Sequence, residues 1–273
     1  MARSKFVTIT YGENIQPFQT ITLSLSQKAF QRNVRTPWLV YIHGGAWRDP
    51  NMTKAMGNKI LNDLPDNWAG ASIDYRLSPE VKHPVHLADV IVALDTLKQQ
   101  YGLGTDEVVI AGHSAGATLA FQAFSTLVAQ RVAYGTVTGG NTQTAVHLSD
   151  SVKYIIGVAG IYNFTALGQE YPSYKGFLSE AFGEKNLWDD ASPNSFQWSK
   201  IANTSNAKIV LVQSSEDELL SVNQIVEFAK LLGTSGYTPH TRIINGGSHN
   251  ETVESEELLD MLREIYLDID QNH

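Results

Sequence analysis

The sequence contains no cysteine, which excludes disulfides, a thiolate nucleophile and cysteine-held metals together. No run approaches the roughly 20 apolar residues needed to span a bilayer. The opening stretch MARSKFVTITYGENIQPFQT also lacks an apolar segment of signal-peptide length. A soluble cytoplasmic chain is the expectation. Positive charge is scarce: 20 Lys and Arg stand against 28 Asp and Glu, for a formal net charge of −8, and the basic residues do not cluster. Nucleic acid and membrane surfaces are therefore poor partners. The glycine-rich stretches lack the lysine of a phosphate loop. His83 and His86 lie three apart without a helical third ligand, so no metal site is expected. Sequons at Asn51, Asn163, Asn203 and Asn250 are read as chance occurrences in a chain without a secretion signal.

What remains is a 273-residue chain, 42% hydrophobic and 18% charged, with material for one large packed domain spanning 1–273. Short β-rich runs alternate with longer helical patterns, which predicts an α/β fold: a mostly parallel sheet covered on both faces. Phe6–Tyr11 and Thr20–Ser26 read as an antiparallel edge. Further strands are expected at Trp38–Ile42, Ala71–Asp74, Val108–Ala111, Tyr154–Val158, Ile209–Gln213 and Thr241–Ile244. Leu87, Val90, Ile91, Leu94 and Leu97 recur at helical spacing after Pro84. Helices are also expected over Ala115–Gln130, over Ser221–Leu232 with Val222, Ile225, Val226 and Ala229 on one face, and over Glu251–Asp268. Residues 131–150, rich in Gly, Thr, Asn and Gln, read as a polar surface loop. Residues 160–200 carry nine aromatics and read as a lid-like segment.

Gly112-His113-Ser114-Ala115-Gly116 is a G-x-S-x-G pattern between a strand and a helix. A serine hydroxyl attacks a carbonyl only when a sharp turn presents it beside a base, and the flanking glycines permit that turn. Ser114 is the candidate nucleophile. His43-Gly44-Gly45-Ala46-Trp47 follows the strand WLVYI. The amides of Gly44, Gly45 and Ala115 are the candidate oxyanion hole, since acyl transfer places negative charge on the carbonyl oxygen. Trp47 reads either as pocket wall or as core. An acid and a histidine should follow in that order. The strand KIVLVQ ends in Ser214-Ser215-Glu216-Asp217-Glu218, where Asp217 is favoured and spacing alone leaves Glu216 and Glu218 open. His249, on the turn after the last strand, is the candidate base.

Taken together, HGGAW, Asp74-Tyr75-Arg76-Leu77-Ser78-Pro79-Glu80, GHSAG, Asp217 and His249 resemble the esterase/lipase branch of the α/β hydrolases, from about residue 37 onward. Gly160-Ile161-Tyr162, Glu170-Tyr171-Pro172, Ser215 to Leu220 and Ser248-His249-Asn250 resemble, more narrowly, the kynurenine formamidases (arylformamidases) of fungal type. The resemblance implies hydrolysis of N-formyl-L-kynurenine to L-kynurenine and formate, in tryptophan degradation towards NAD, without a cofactor. It also implies a catalytic triad of Ser114, Asp217 and His249, an HGGxW motif at His43–Trp47, and a homodimer. Trp47 and Tyr162 are the candidate substrate contacts. A carboxylesterase for short acyl esters would use the same triad with a different pocket. A non-catalytic ligand-binding protein on the same fold is the remote alternative.

Overall fold

The computed structural model describes residues 6–12, 16–26, 35–137 and 147–271. Eight strands form one sheet: β1 (Val7–Thr10), β2 (Thr20–Leu25), β3 (Trp38–Ile42), β4 (Ala69–Ile73), β5 (Val108–His113), β6 (Val152–Val158), β7 (Lys208–Ser214) and β8 (His240–Ile244). Their order is β1-β2-β4-β3-β5-β6-β7-β8. β1 pairs with β2 and β2 with β4 antiparallel, and every other pairing is parallel. All eight strands read from the sequence are present, with the expected antiparallel edge.

The interior strands β3, β4 and β5 are buried along their whole length, because helices cover both faces of the sheet. Alternate residues of each strand serve opposite layers. Trp38, Val40 and Ile42 join the core under α2 (Val85–Tyr101), α3 (Ala115–Val137) and α9 (Asn223–Thr234). Leu39 and Tyr41 join the core under α1 (Asn58–Asp63) and α10 (Glu256–Gln271). Shorter helices complete the chain: α4 (Leu148–Ser151), then α5 (Phe164–Glu170), α6 (Lys175–Phe182), α7 (Trp188–Ala191) and α8 (Trp198–Ala202) in the aromatic-rich stretch.

Three expectations need correction. α3 continues to Val137 and α4 begins at Leu148, so the expected 131–150 loop is shorter at both ends; residues 138–146 lie outside the described residues. On α9 the buried face carries Gln224, Ile225, Phe228 and Leu232, whereas Val222 and Val226 are exposed. The aromatic ring of Phe228, one turn from Ile225, outcompetes the smaller valines for the core. The terminal helix starts at Glu256, because residues Glu251–Glu254 form a separate 3-10 turn.

Two glycines set how tightly the central elements meet. A Cβ on Gly112 would overlap the Gly116 carbonyl, and a Cβ on Gly116 would overlap the Ile42 carbonyl. The contacts are backbone to backbone, so no side chain can yield. Gly116→Ala should therefore destabilise the protein by about 3 kcal/mol or more, read as a fall in thermal midpoint. An unchanged midpoint would contradict this close packing.

Candidate active site

The elbow is built where β5 meets α3. β5 ends at His113, α3 begins at Ala115, and Ser114 alone makes the turn, with φ of 53°. A non-glycine residue in this region costs on the order of 1–3 kcal/mol and persists only where its surroundings hold it. Here the Ser114 amide donates to the Val158 carbonyl at 2.9 Å, which ties the elbow to the end of β6. Ser114 is only 6% exposed, so little of the residue faces open solvent.

A second strained turn faces the elbow. After β3, Gly45, Ala46 and Trp47 have φ of 99°, 49° and 59° in succession. A Cβ on Gly44 would lie 3.0 Å from the Ser114 Cβ, so the backbone of this turn closes directly on the serine. Among the described residues, the amides of Gly44, Gly45 and Ala115 donate to no backbone acceptor. Ala115 also opens a 23-residue helix, whose N-terminal end favours negative charge. Free amides beside a serine, backed by a helix N-terminus, are suited to hold an oxyanion.

The turn is braced from behind by the Asp74-Tyr75-Arg76 run. The Tyr75 ring stacks on His43 with centroids 4.5 Å apart, and its hydroxyl donates towards the carbonyls of His43 and Gly44 at 3.1 and 3.2 Å. Asp74 accepts from the Lys54 amide and ammonium, both at 2.6 Å, and from Thr20 Oγ1 at 2.8 Å. Arg76 makes a bidentate pair with buried Asp89. His43 is fully buried, and burial lowers its pKa despite the Asp74 carboxylate 3.5 Å away.

The candidate acid and base meet at the ends of β7 and β8. His249 Nδ1–H donates to Asp217 Oδ2 at 2.8 Å, with both side chains almost wholly buried. A carboxylate on Nδ1 fixes the tautomer and leaves Nε2 as the proton acceptor. Asp217 Oδ1 accepts from the Leu219 and Leu220 amides at 2.9 Å each, and Oδ2 also accepts from Gln213 Nε2. Burial alone would raise the Asp217 pKa; the hydrogen bond and charge of His249 and the two amides outweigh it and lower the value.

The same region separates the three acids that spacing could not. Asp217 takes the histidine ring, Glu218 Oε2 accepts from the His249 amide at 2.9 Å, and the Glu216 amide donates to Ser214 Oγ within the turn. On the other flank, His113 Nε2–H donates to the His249 carbonyl at 2.9 Å, and the two rings lie 4.6 Å apart. Because His113 immediately precedes Ser114, this contact brings His249 to the elbow. Burial pushes the His113 pKa down to about 3, so it serves as a neutral strut. Glu218 and His113 as supports of the base escaped the sequence reading, since nothing in local spacing tells which residues reach a main-chain group 30 or more positions away. Glu218→Ala should lower kcat about tenfold through loss of one charge-assisted hydrogen bond, with folding nearly unchanged. Equal kcat in the variant and the parent would show that this contact does not matter.

Trp47 and Tyr162, the candidate substrate contacts, both lie among aromatic rings. The Trp47 ring is fully buried against Phe164, Phe177 and Phe182. Tyr162 stacks on Phe228 at 4.4 Å and fills the space left by Gly157 and Gly160. Both rings are core, claimed by aromatic neighbours before any ligand arrives.

Residues 26–232 match the family model described as BD-FAE. A kynurenine formamidase of Meyerozyma guilliermondii is 36% identical over 78% of this chain and 78% of its own length. The kynurenine formamidase of Saccharomyces cerevisiae is 31% identical over 74% of this chain and 77% of its own. The chain belongs to the kynurenine formamidase family. Esterase B from Lactobacillus rhamnosis superposes with a TM-score of 0.76 over 100% of this chain and 90% of that one. At 17% identity this likeness shows the fold alone, and the fold is that of the α/β hydrolases. The formamidase family and the α/β-hydrolase fold are thus those the sequence motifs resembled.

Proposed function

We propose that this chain hydrolyses N-formyl-L-kynurenine to L-kynurenine and formate. His249 Nε2 takes the proton of Ser114, whose Oγ attacks the formyl carbon, and the Gly44, Gly45 and Ala115 amides hold the oxyanion. Asp217 keeps the imidazole oriented and stabilises its charged form. The C–N bond then breaks, the arylamine leaves with the proton from His249, and water hydrolyses the formyl-enzyme by the same base. The observation that carries this reading is the His249–Asp217 hydrogen bond at an elbow serine, in a member of the formamidase family.

A formyl group is the smallest acyl group. The Gly44 backbone closing on Ser114 and the low exposure of the serine suit it. The same reading takes 1–273 as one domain, with the 160–200 segment covering the site, in a cytoplasmic homodimer. Among the described residues, no helix is long and apolar enough to cross a membrane. A fluorophosphonate probe should label Ser114 alone, and N-formyl-L-kynurenine should slow that labelling. Labelling elsewhere, or no protection by the formamide, would count against the assignment.

A further inference from the structure

The two loops that carry the acid and the oxyanion amides are bridged by one row of side chains. Tyr174 donates its hydroxyl to the Leu219 carbonyl at 3.0 Å, within the turn whose amides hold Asp217. Its ring stacks on Tyr171 at 4.9 Å and meets Phe177 at 5.3 Å. The Arg48 guanidinium lies over Phe177, 5.8 Å from the ring centroid. Arg48 directly follows Trp47, and its amide donates to the Gly45 carbonyl at 2.9 Å, so it belongs to the oxyanion turn. The row runs from the turn that holds Asp217 to the turn that follows β3, and so spans the two loops that flank Ser114.

At the outer end of this row stands one pair of opposite charges. Arg48 donates to Glu180 at 3.0 Å, with the side chains 45% and 40% exposed. Among the described residues, that guanidinium donates to Glu180 alone, which leaves most of its donors to spare. An ion pair this exposed adds little to stability, so exchanging it for a ligand's charges costs the fold little.

We propose that Arg48 and Glu180 form a clamp for the α-amino-acid tail of the substrate, Arg48 binding its carboxylate and Glu180 its ammonium, with the partly buried Tyr174 ring against the aryl ketone. This rests on the formamidase reading and extends it to specificity. An α-amino acid carries a carboxylate and an ammonium on one carbon. It can therefore replace one exposed protein ion pair with two, while the guanidinium fork meets the carboxylate in bidentate geometry. Neither group touches the reacting atoms; the clamp orients the aryl formamide so that its small acyl end reaches Ser114.

Calorimetric titration separates the clamp from the chemistry. The ligands are L-kynurenine and 2-aminoacetophenone, which shares the aminophenone ring and lacks the amino-acid tail. The parent protein should bind L-kynurenine at least about tenfold more tightly, the range of one charge-assisted bidentate contact. Arg48→Ala and Glu180→Ala should each bring that preference to within about threefold, while Arg242→Ala, another exposed arginine in an ion pair, should leave it intact. A preference that survives Arg48→Ala, or a parent protein that shows none, would overturn the clamp. Failure of the formamidase reading would show elsewhere, as absent deformylation by a protein that still prefers L-kynurenine.

Discussion

Ser114→Ala is expected to reduce kcat for N-formyl-L-kynurenine by roughly 10⁴-fold or more, as removal of a triad nucleophile does. The thermal midpoint should hold, because alanine keeps the Cβ and the backbone of the elbow is tied independently through the Val158 carbonyl. Steady-state turnover and a thermal melt on the same preparation check both halves. Residual activity above about a tenth of the parent would mean that water, not the serine, attacks the formyl group. A collapsed midpoint would instead show that the hydroxyl has a structural role that its surroundings do not suggest.

Asp217→Asn is expected to cost about 10⁴-fold in kcat, the scale of a wrong-tautomer imidazole. Its carboxylate accepts from four donors: His249 Nδ1, Gln213 Nε2 and two amides. An amide side chain must set its NH2 against one of these, and against His249 it would drive the proton to Nε2, where the base is needed. The substitution also has a signature in stability. The folded-state pKa of Asp217 is lowered, so its ionised form contributes stability that is present above the ordinary value of 3.8 and is lost as pH falls through the folded value. Melts between pH 3 and 6 should therefore show the parent losing stability towards acid more steeply than Asp217→Asn. Parallel curves would contradict the account of this carboxylate.

Much of this was legible in the sequence because the relevant signals are local. Each of the eight strands is a short β-rich run bounded by turn residues, and G-x-S-x-G reads as an elbow only because a strand precedes it and a helix follows. Asp217 and His249 could be placed because each follows a strand end, where a parallel sheet collects its functional groups. The failures were non-local. For Trp47 and Tyr162 the motifs do not tell that Phe182 and Phe228 pack on their rings. The apolar stripe on α9 reads in the sequence as Val222, Ile225, Val226 and Ala229; Ile225 is buried, but only tertiary packing reveals that Phe228 displaces Val222 and Val226 from the core. The two struts on His249 reach from His113 and Glu218 across 136 and 31 positions, a separation that periodicity and motif spacing do not report.

The most direct measurement follows absorbance as purified protein meets N-formyl-L-kynurenine, with 4-nitrophenyl acetate run in parallel. The account predicts efficient formation of L-kynurenine, a kcat/KM for the formamide well above that for the ester, and loss of both activities in Ser114→Ala. Brisk ester cleavage beside slow or absent deformylation would contradict it. The pocket would then be that of a short-chain carboxylesterase, with the same triad serving a different substrate.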